Sequence, residues 1–238
     1  MTVGKQIRRF AKECEFKFNS RLLDFLMRRT TLSPYLRDLA SGARTKKLIF
    51  IHVPKAAGTS LCYFIGYQNG HIPISRYRAF DRSQFDSSER IAFVRHPETR
   101  ILSAFNYLHS AIGINNSPDV LWAEENLSEF KSFPEFILSL QKKEIRKKIL
   151  GYIHFRPQAD WICLPGEASH CMTWLGRFEN LENDVSELEI LIQRPIKLIH
   201  TRKPQSQTPF VEWTIEMSEI VESIYARDYS LLDYQGSH

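Results

Sequence analysis

A buried-strand pattern that runs straight into an anion-binding loop constrains this chain most. Residues 47–53 are largely apolar and β-prone, and residues 54–60 read Pro-Lys-Ala-Ala-Gly-Thr-Ser. A helix predicted to begin at Thr59 or Ser60 would leave unpaired backbone N–H groups at the positive end of its dipole, which favours bound anions. Lys55 adds a positive charge to the same loop. The segment therefore predicts a strand followed by a cradle for a phosphate-like group.

The position of the lysine narrows the class of ligand. In a Walker A loop the lysine follows the last glycine, whereas here Lys55 precedes Gly58. This order argues against an ordinary ATPase or GTPase, and without a Gly-x-Gly-x-x-Gly pattern a dinucleotide fold has no support. Taken by itself, the segment also has an alternative interpretation as a strand–turn–helix whose small residues only pack.

A second segment, residues 91–107, again runs from an apolar strand into a polar turn and a helix. Arg95 lies at the predicted strand end, and Pro97 suits the first turn of a helix. Arg100, Ser103 and Tyr107 are spaced so that they fall near one helix face. A guanidinium at a strand end with a helix serine predicts a second anion site, because arginine can bind a phosphate through two hydrogen bonds.

Together the two segments resemble the nucleotide-binding motifs of the sulfotransferase superfamily, which uses 3′-phosphoadenylyl sulfate (PAPS). The first loop is similar to the 5′-phosphosulfate loop, with Ala57 where glycine is common. The second segment is similar to the 3′-phosphate motif. The resemblance implies that PAPS is the cosubstrate and that its site is formed by Lys55, Ala56, Ala57, Gly58, Thr59, Ser60, Arg95 and Ser103.

Residues 154–161, 175–181 and 224–234 resemble the carbohydrate branch of that superfamily, the heparan- and chondroitin-type "sulfotransferase family 2". The resemblance implies a carbohydrate acceptor, either a glycan or a glycolipid, while the residues themselves leave another hydroxylated acceptor, such as a small metabolite, open. In the first of these segments, arginine suits a carboxylate or sulfate and tryptophan suits the face of a pyranose. The acceptor-binding residues predicted there are His154, Arg156, Gln158 and Trp161.

Sulfuryl transfer requires in-line attack by a hydroxyl, so a protein contributes positioning and charge stabilisation. We assign Lys55 the role of stabilising the negative charge that develops on the leaving group. We assign His71 as the general base, because histidine titrates near neutrality and its position resembles that of the family's catalytic histidine. His154 is the second candidate for the base. The scheme needs no metal, and the sequence offers no metal-binding cluster.

Two other functions are weighed against this one. A P-loop kinase-like phosphotransferase is disfavoured because the lysine precedes the glycine and no clear Mg²⁺-binding aspartate follows a buried strand. A non-catalytic nucleotide- or glycan-binding module would keep the loops without the transfer. Nucleic acid is not expected as a partner, since the net charge of +5 is not accompanied by a known nucleic-acid-binding pattern.

The predicted fold class is α/β, a P-loop-like three-layer domain with a central parallel sheet flanked by helices. Strands are predicted at 47–53, near 91–95 and at 172–178. Residues 113–127 are predicted to form a loop or an insertion. Residues 201–209 are predicted to form a basic loop that is either a linker or a flap over the 3′-phosphate. Helices are predicted at 5–28, 59–68, 98–111, 133–150, 181–193 and 210–225.

The predicted domains are an N-terminal helical segment, residues 1–45, and a single sulfotransferase domain, residues 46–238. The N-terminal segment is basic with apolar residues at helical spacing. It is interpreted as a packing helix or, alternatively, a peripheral membrane contact. With no signal peptide or membrane span seen, we expect a cytoplasmic protein that could associate with a membrane surface. Cys163 and Cys171 are expected to be free thiols, although export would allow them to pair. The oligomeric state cannot be predicted from the sequence.

Overall fold

The structure, a computed structural model, describes residues 48–57, 71–193, 196 and 211–236. A three-stranded parallel sheet lies at the centre of this part of the chain. Its strands, in spatial order, are β1 (Leu48–Ile51), β2 (Glu89–Val94) and β3 (Trp174–Arg177). Because the strands are parallel, their carboxyl ends lie along one edge, where ligands of open α/β sheets bind. The predicted strands and their parallel arrangement are confirmed.

Both faces of the sheet are buried, as expected for parallel strands that are covered by helices. Ile49, Ile51 and Val94 point into the larger apolar core on one face. Phe50 and Phe93, which alternate with them, point into a second core on the other face. The predicted three-layer α/β architecture, with a central sheet flanked by helices, is therefore confirmed.

The connections between and after the strands are mostly helical. The described helices, in chain order, are α1 (Ile74–Phe80), α2 (Arg82–Asp86), α3 (Pro97–His109), α4 (Pro118–Leu127), α5 (Phe133–Ser139), α6 (Lys143–Leu150), α7 (Ala159–Ile162), α8 (Leu181–Ile192), α9 (Ile215–Ile224) and α10 (Ala226–Leu232). A short 3₁₀ turn, Phe178–Asn180, joins β3 to α8. The helices predicted at 98–111, 181–193 and 210–225 are present with shifted ends. Helices α1, α2, α4 and α7 were not predicted.

The prediction of a loop over residues 113–127 is wrong, because α4 occupies its second half. The Ser117 side chain accepts a hydrogen bond from the Val120 N–H, and Pro118 fills the first helical position. Both are signals of a helix start. Val120, Ala123 and Leu127 then bury one face of the helix. The polar, turn-forming composition of residues 113–119 concealed this pattern.

The single helix predicted over residues 133–150 is in fact two helices, α5 and α6. Lys142 has extended backbone angles, which interrupt the helical hydrogen bonds. The turn buries Leu140, while Ile149 of the second helix reaches the same core. The burial of Leu140 and of Ile149 in the same core thus outweighs the tendency of residues 133–150 to form one continuous helix.

Several predictions fall on residues that the structure does not describe. These are the N-terminal helix at 5–28 with the domain boundary after residue 45, the helix at 59–68, and the loop at 201–209. Among the helices that are described, none is long and apolar enough to cross a membrane.

Candidate active site

The loop after β1 has an unusual backbone. Lys55 and Ala57 both have left-handed angles, with φ of 67° and 63°. Non-glycine residues adopt this region at a cost of roughly 1–2 kcal/mol each. The rest of the predicted cradle, Gly58, Thr59 and Ser60, lies outside the described residues. The observed part of the loop is therefore held in a conformation that local preferences alone would not select.

Replacing Ala57 by glycine is expected to raise the free energy of unfolding by ~0.5–1 kcal/mol. Glycine removes the left-handed penalty but gives back part of the gain as chain entropy in the unfolded state. Urea unfolding followed by circular dichroism measures the change. Ala56→Gly is the matched control: Ala56 is buried and has no positive φ, so this variant should be less stable than the wild type. Equal destabilisation by both variants would contradict the assigned strain.

The Lys55 side chain is held over an aromatic ring. Its ammonium nitrogen lies 4.0 Å from the centre of the Tyr107 ring, a cation–π contact between the loop and α3. The Tyr107 hydroxyl donates a hydrogen bond to Asp119 Oδ2 at 2.9 Å. Asp119, near the start of α4, thus fixes the tyrosine against which the lysine rests.

Asp119 joins several elements, and the sequence did not indicate it as a site residue. It also accepts hydrogen bonds from the Tyr152 hydroxyl and from His154 Nε2, the latter at 3.4 Å. Burial raises the pKa of Asp119, but the hydrogen bonds from His154, Tyr152 and Tyr107 lower it more, so the net pKa is well below its usual range. The carboxylate is therefore ionised at neutral pH. The pattern Ser117-Pro118-Asp119 could have indicated the helix start, but not these partners.

His71 lies beside this cluster in a defined tautomer. Its Nδ1 is 2.8 Å from the His52 carbonyl oxygen, which can only accept, so Nδ1 carries a proton. Burial, and then the neighbouring His52, lower the pKa of His71 well below 6.5. The ring is consequently neutral at neutral pH, and its Nε2 carries a lone pair. The centroids of the His71 and His154 rings are 5.7 Å apart.

His154 forms a second imidazole next to the first. It is 6% exposed, and its Nε2 donates to Asp119, so its lone pair is on Nδ1. Nδ1 is buried and has no hydrogen-bond partner within the described part of the chain. Burial lowers the pKa of His154, although the Asp119 carboxylate opposes that shift. The structure thus brings two neutral histidines and a fixed lysine into one cluster.

Arg95 follows β2, at the same edge of the sheet as Lys55. Its Nη1 donates to the Lys55 carbonyl at 3.5 Å, which links the two predicted anion sites directly. Its Nε donates to Thr99 Oγ1 at 3.0 Å, and its guanidinium carbon is 4.1 Å from the centre of the Phe178 ring. Burial lowers the pKa of Arg95 to about 10, so the side chain keeps its charge at neutral pH.

The α3 helix carries the other residues of the second motif. Ser103 is partly exposed and lies one turn after Thr99, on the same side of α3. Thr99 was not predicted, yet it is the residue that orients the Arg95 side chain. Arg100 is fully buried and donates to the carbonyls of Pro54, His154 and Arg156. It therefore ties the first loop to the segment that follows α6.

The predicted acceptor-binding residues fall into two groups. His154 belongs to the histidine cluster, and Arg156 is half-exposed and pairs with Asp160 at 3.5 Å. Gln158 and Trp161 are 0% and 1% exposed, so neither presents a surface to a sugar in this structure. The stacking face and amide contact expected from the sequence are therefore not available there. Trp161 instead packs in the core, 5.9 Å from His71 between ring centroids.

Within the described part of the chain, the cysteines and the remaining acidic residues form no second centre. Cys163 and Cys171 are free thiols, and burial raises the pKa of both. No group of three or more histidine, cysteine or acidic side chains suited to a metal ion occurs among the described residues. The chemistry of this part of the chain is therefore concentrated at the edge of the sheet where Lys55 and Arg95 meet.

Comparison with known proteins assigns the chain to a family. A family model described as the sulfotransferase family matches residues 42–235, and the chain belongs to that family, in its family 2 branch. Family membership implies sulfuryl transfer as the general activity, PAPS as the usual cosubstrate and a hydroxylated acceptor. Neither the comparison with curated proteins nor that with solved structures gave a match.

Proposed function

We propose that the chain transfers the sulfuryl group of PAPS to a hydroxyl of a carbohydrate, with His71 as the general base. The observation that carries this proposal is the junction at the sheet edge, where Arg95 donates to the Lys55 carbonyl while Lys55 rests beside the histidine cluster. One ligand phosphorylated at both ends of a nucleoside could contact both motifs. The small side chain of Ala57 would let a phosphate approach the backbone at that position.

The donor is held at its two ends. Ala56, Ala57, Gly58, Thr59 and Ser60 would contact the 5′-phosphosulfate, and Arg95 with Ser103 the 3′-phosphate. Thr99 and Phe178 support this assignment, because they hold the Arg95 guanidinium at the end of β2. Arg95 retains its charge while partly buried, which strengthens its attraction for a phosphate.

The reaction forms a sulfur–oxygen bond to the acceptor and breaks the one to the 5′-phosphate. PAPS supplies the sulfuryl group, and adenosine 3′,5′-bisphosphate leaves. His71 Nε2 takes the proton of the attacking hydroxyl, which its neutral state and fixed tautomer allow. The Lys55 ammonium stabilises negative charge on the departing oxygen. Asp119 serves as a positioning residue for Tyr107 and His154.

Titration calorimetry tests the donor. We expect adenosine 3′,5′-bisphosphate to bind and ATP to bind at least about tenfold more weakly, because Arg95 and Ser103 select for a 3′-phosphate. Adenosine 5′-phosphosulfate, which lacks that phosphate, is the matched control and should fall between them. Tight binding of ATP without binding of the bisphosphate would overturn the proposal and favour a phosphotransferase.

An acceptor screen follows the titration. Release of adenosine 3′,5′-bisphosphate from PAPS is measured against a panel of glycans, glycolipids and small hydroxylated metabolites. The proposal expects turnover with a carbohydrate. Turnover confined to a small metabolite would overturn the assignment of a carbohydrate acceptor, while the assignment of PAPS as the donor would stand. Binding of the bisphosphate without turnover on any acceptor would favour a non-catalytic module.

A further inference from the structure

The side chain of Gln158 makes two hydrogen bonds to the backbone of Arg95. Gln158 Oε1 accepts from the Arg95 N–H at 2.9 Å, and Gln158 Nε2 donates to the Arg95 carbonyl at 2.7 Å. The side chain is fully buried. A primary amide can donate and accept side by side, so it pairs with a peptide unit much as a neighbouring strand does. The contact spans 63 residues of sequence.

This contact begins where the sheet ends. The ladder between β2 and β3 pairs Val94 with Arg177 as its last position, so the Arg95 backbone lies just beyond it. A backbone N–H or carbonyl that loses its strand partner needs another one when buried. Gln158 supplies both hydrogen bonds and thereby fixes the direction in which the Arg95 side chain leaves the backbone.

Gln158 is itself held from the opposite side. Its own N–H donates to Asp228 Oδ2 at 2.7 Å, and the Ala159 N–H donates to Asp228 Oδ1 at 2.8 Å. Asp228 lies in α10 and is fully buried. Arg100 holds the preceding residues through the carbonyls of His154 and Arg156. Hydrogen bonds from Arg100 and to Asp228 therefore hold the backbone of residues 154–159, the segment that includes Gln158.

We propose that Gln158 is a positioning residue of the 3′-phosphate site: its amide sets the Arg95 peptide, and through it the guanidinium that binds the phosphate. The inference rests on the proposed function and goes beyond it, because it assigns a buried residue to recognition of one end of the donor. It also replaces the acceptor contact that the sequence predicted for Gln158.

Gln158→Glu tests these two hydrogen bonds with minimal change in the shape of the side chain. An ionised carboxylate would face the Arg95 carbonyl, so one contact becomes repulsive. The charged groups around it are Asp228 from α10, Asp160 in the first turn of α7, Arg100 from α3 and Arg95 itself. Burial, the two acidic side chains and the carbonyl raise the pKa of the introduced glutamate and favour its protonated form. The two arginines act in the opposite direction. Once protonated, the acid can donate to the carbonyl and restore both hydrogen bonds.

The expected result is a loss of affinity that depends on the 3′-phosphate and on pH. At about pH 8, Gln158→Glu should bind adenosine 3′,5′-bisphosphate about tenfold more weakly than the wild type, the effect of about one lost hydrogen bond to a buried group. Binding of adenosine 5′-phosphosulfate should change less than about twofold, because it has no 3′-phosphate. At about pH 5 the ratio of variant to wild-type affinity for the bisphosphate should return toward one.

Two further variants keep the test decisive. Gln158→Met fills a similar volume without either hydrogen bond, and its loss should be the same at both pH values. Asn126→Asp is the matched amide-to-acid control, since Asn126 is buried in α4 and its amide donates to the Trp122 carbonyl. It should leave the discrimination between the two nucleotides unchanged.

The outcomes separate this inference from the proposed function. Unchanged bisphosphate binding in both Gln158 variants, or equal losses for the two nucleotides, would overturn the positioning role while the wild type still binds. A loss in Gln158→Glu that does not diminish at low pH would also count against it. A wild-type protein that binds no bisphosphate would overturn the proposed function itself, and this inference with it.

Discussion

Lys55→Ala is expected to lower kcat for sulfuryl transfer by about 100- to 1,000-fold, the effect of removing one preorganised group that stabilises developing charge. The contact between its ammonium and the Tyr107 ring places the charge beside the histidine cluster. Because the charge on the leaving oxygen exists mainly in the transition state, KM for PAPS should change much less than kcat. The assay measures release of adenosine 3′,5′-bisphosphate with an acceptor identified by the screen.

Two variants control this experiment. Lys55→Met keeps most of the stem without the charge and should be as inactive as Lys55→Ala. Lys148→Ala removes an exposed lysine of α6 that pairs with the surface carboxylate of Glu125, and it should retain wild-type kcat. Full activity of Lys55→Met would show that the charge of Lys55 does not stabilise the leaving group.

Loss of His71, the proposed general base, is expected to give the second large effect. His71→Asn is expected to lower kcat by about 100- to 10,000-fold, the usual contribution of general base catalysis. Asparagine can still donate to the His52 carbonyl from the place of Nδ1, but it has no counterpart to the basic Nε2. Affinity for adenosine 3′,5′-bisphosphate should be unchanged, which separates lost chemistry from lost folding.

The pH profile supplies an independent signature of the same residue. Burial lowers the pKa of His71 well below 6.5, so the neutral base persists as the pH falls and is lost only at more acid values. The acid limb of kcat in the wild type should therefore lie below pH 6.5 and disappear in the residual activity of His71→Asn. If His154→Asn abolished turnover while His71→Asn retained it, His154 would be the base.

The strands and the two motifs could be predicted from the sequence because their signals are local. An apolar run that ends in a lysine-bearing turn defines β1 and its loop, and a second run that ends in Arg95 defines β2. Parallel pairing then brings both turns to one edge of the sheet. The left-handed angle at Ala57 also fits a position where glycine is common in the family.

The supporting residues could not be predicted, because their roles depend on partners far away in the sequence. Asp119 acts through hydrogen bonds to residues 33 and 35 positions later, and no spacing rule indicates such contacts. Gln158 was assigned to the acceptor because residues 154–161 resemble a segment of the carbohydrate branch. Its burial against the Arg95 backbone follows only from the way α7 packs between α10 and the sheet edge.

Residues 225–235, which include α10, contribute contacts to the site from the C-terminal end of the described chain. Asp228 holds the Gln158 segment, the Tyr225 hydroxyl donates to the Phe155 carbonyl, and the Gln235 carbonyl contacts the His96 ring. Each of these contacts reaches residues that the ribosome has made much earlier. The arrangement around Arg95 shown here therefore includes contacts from residues 225–235, so a chain that lacks those residues cannot make it in full.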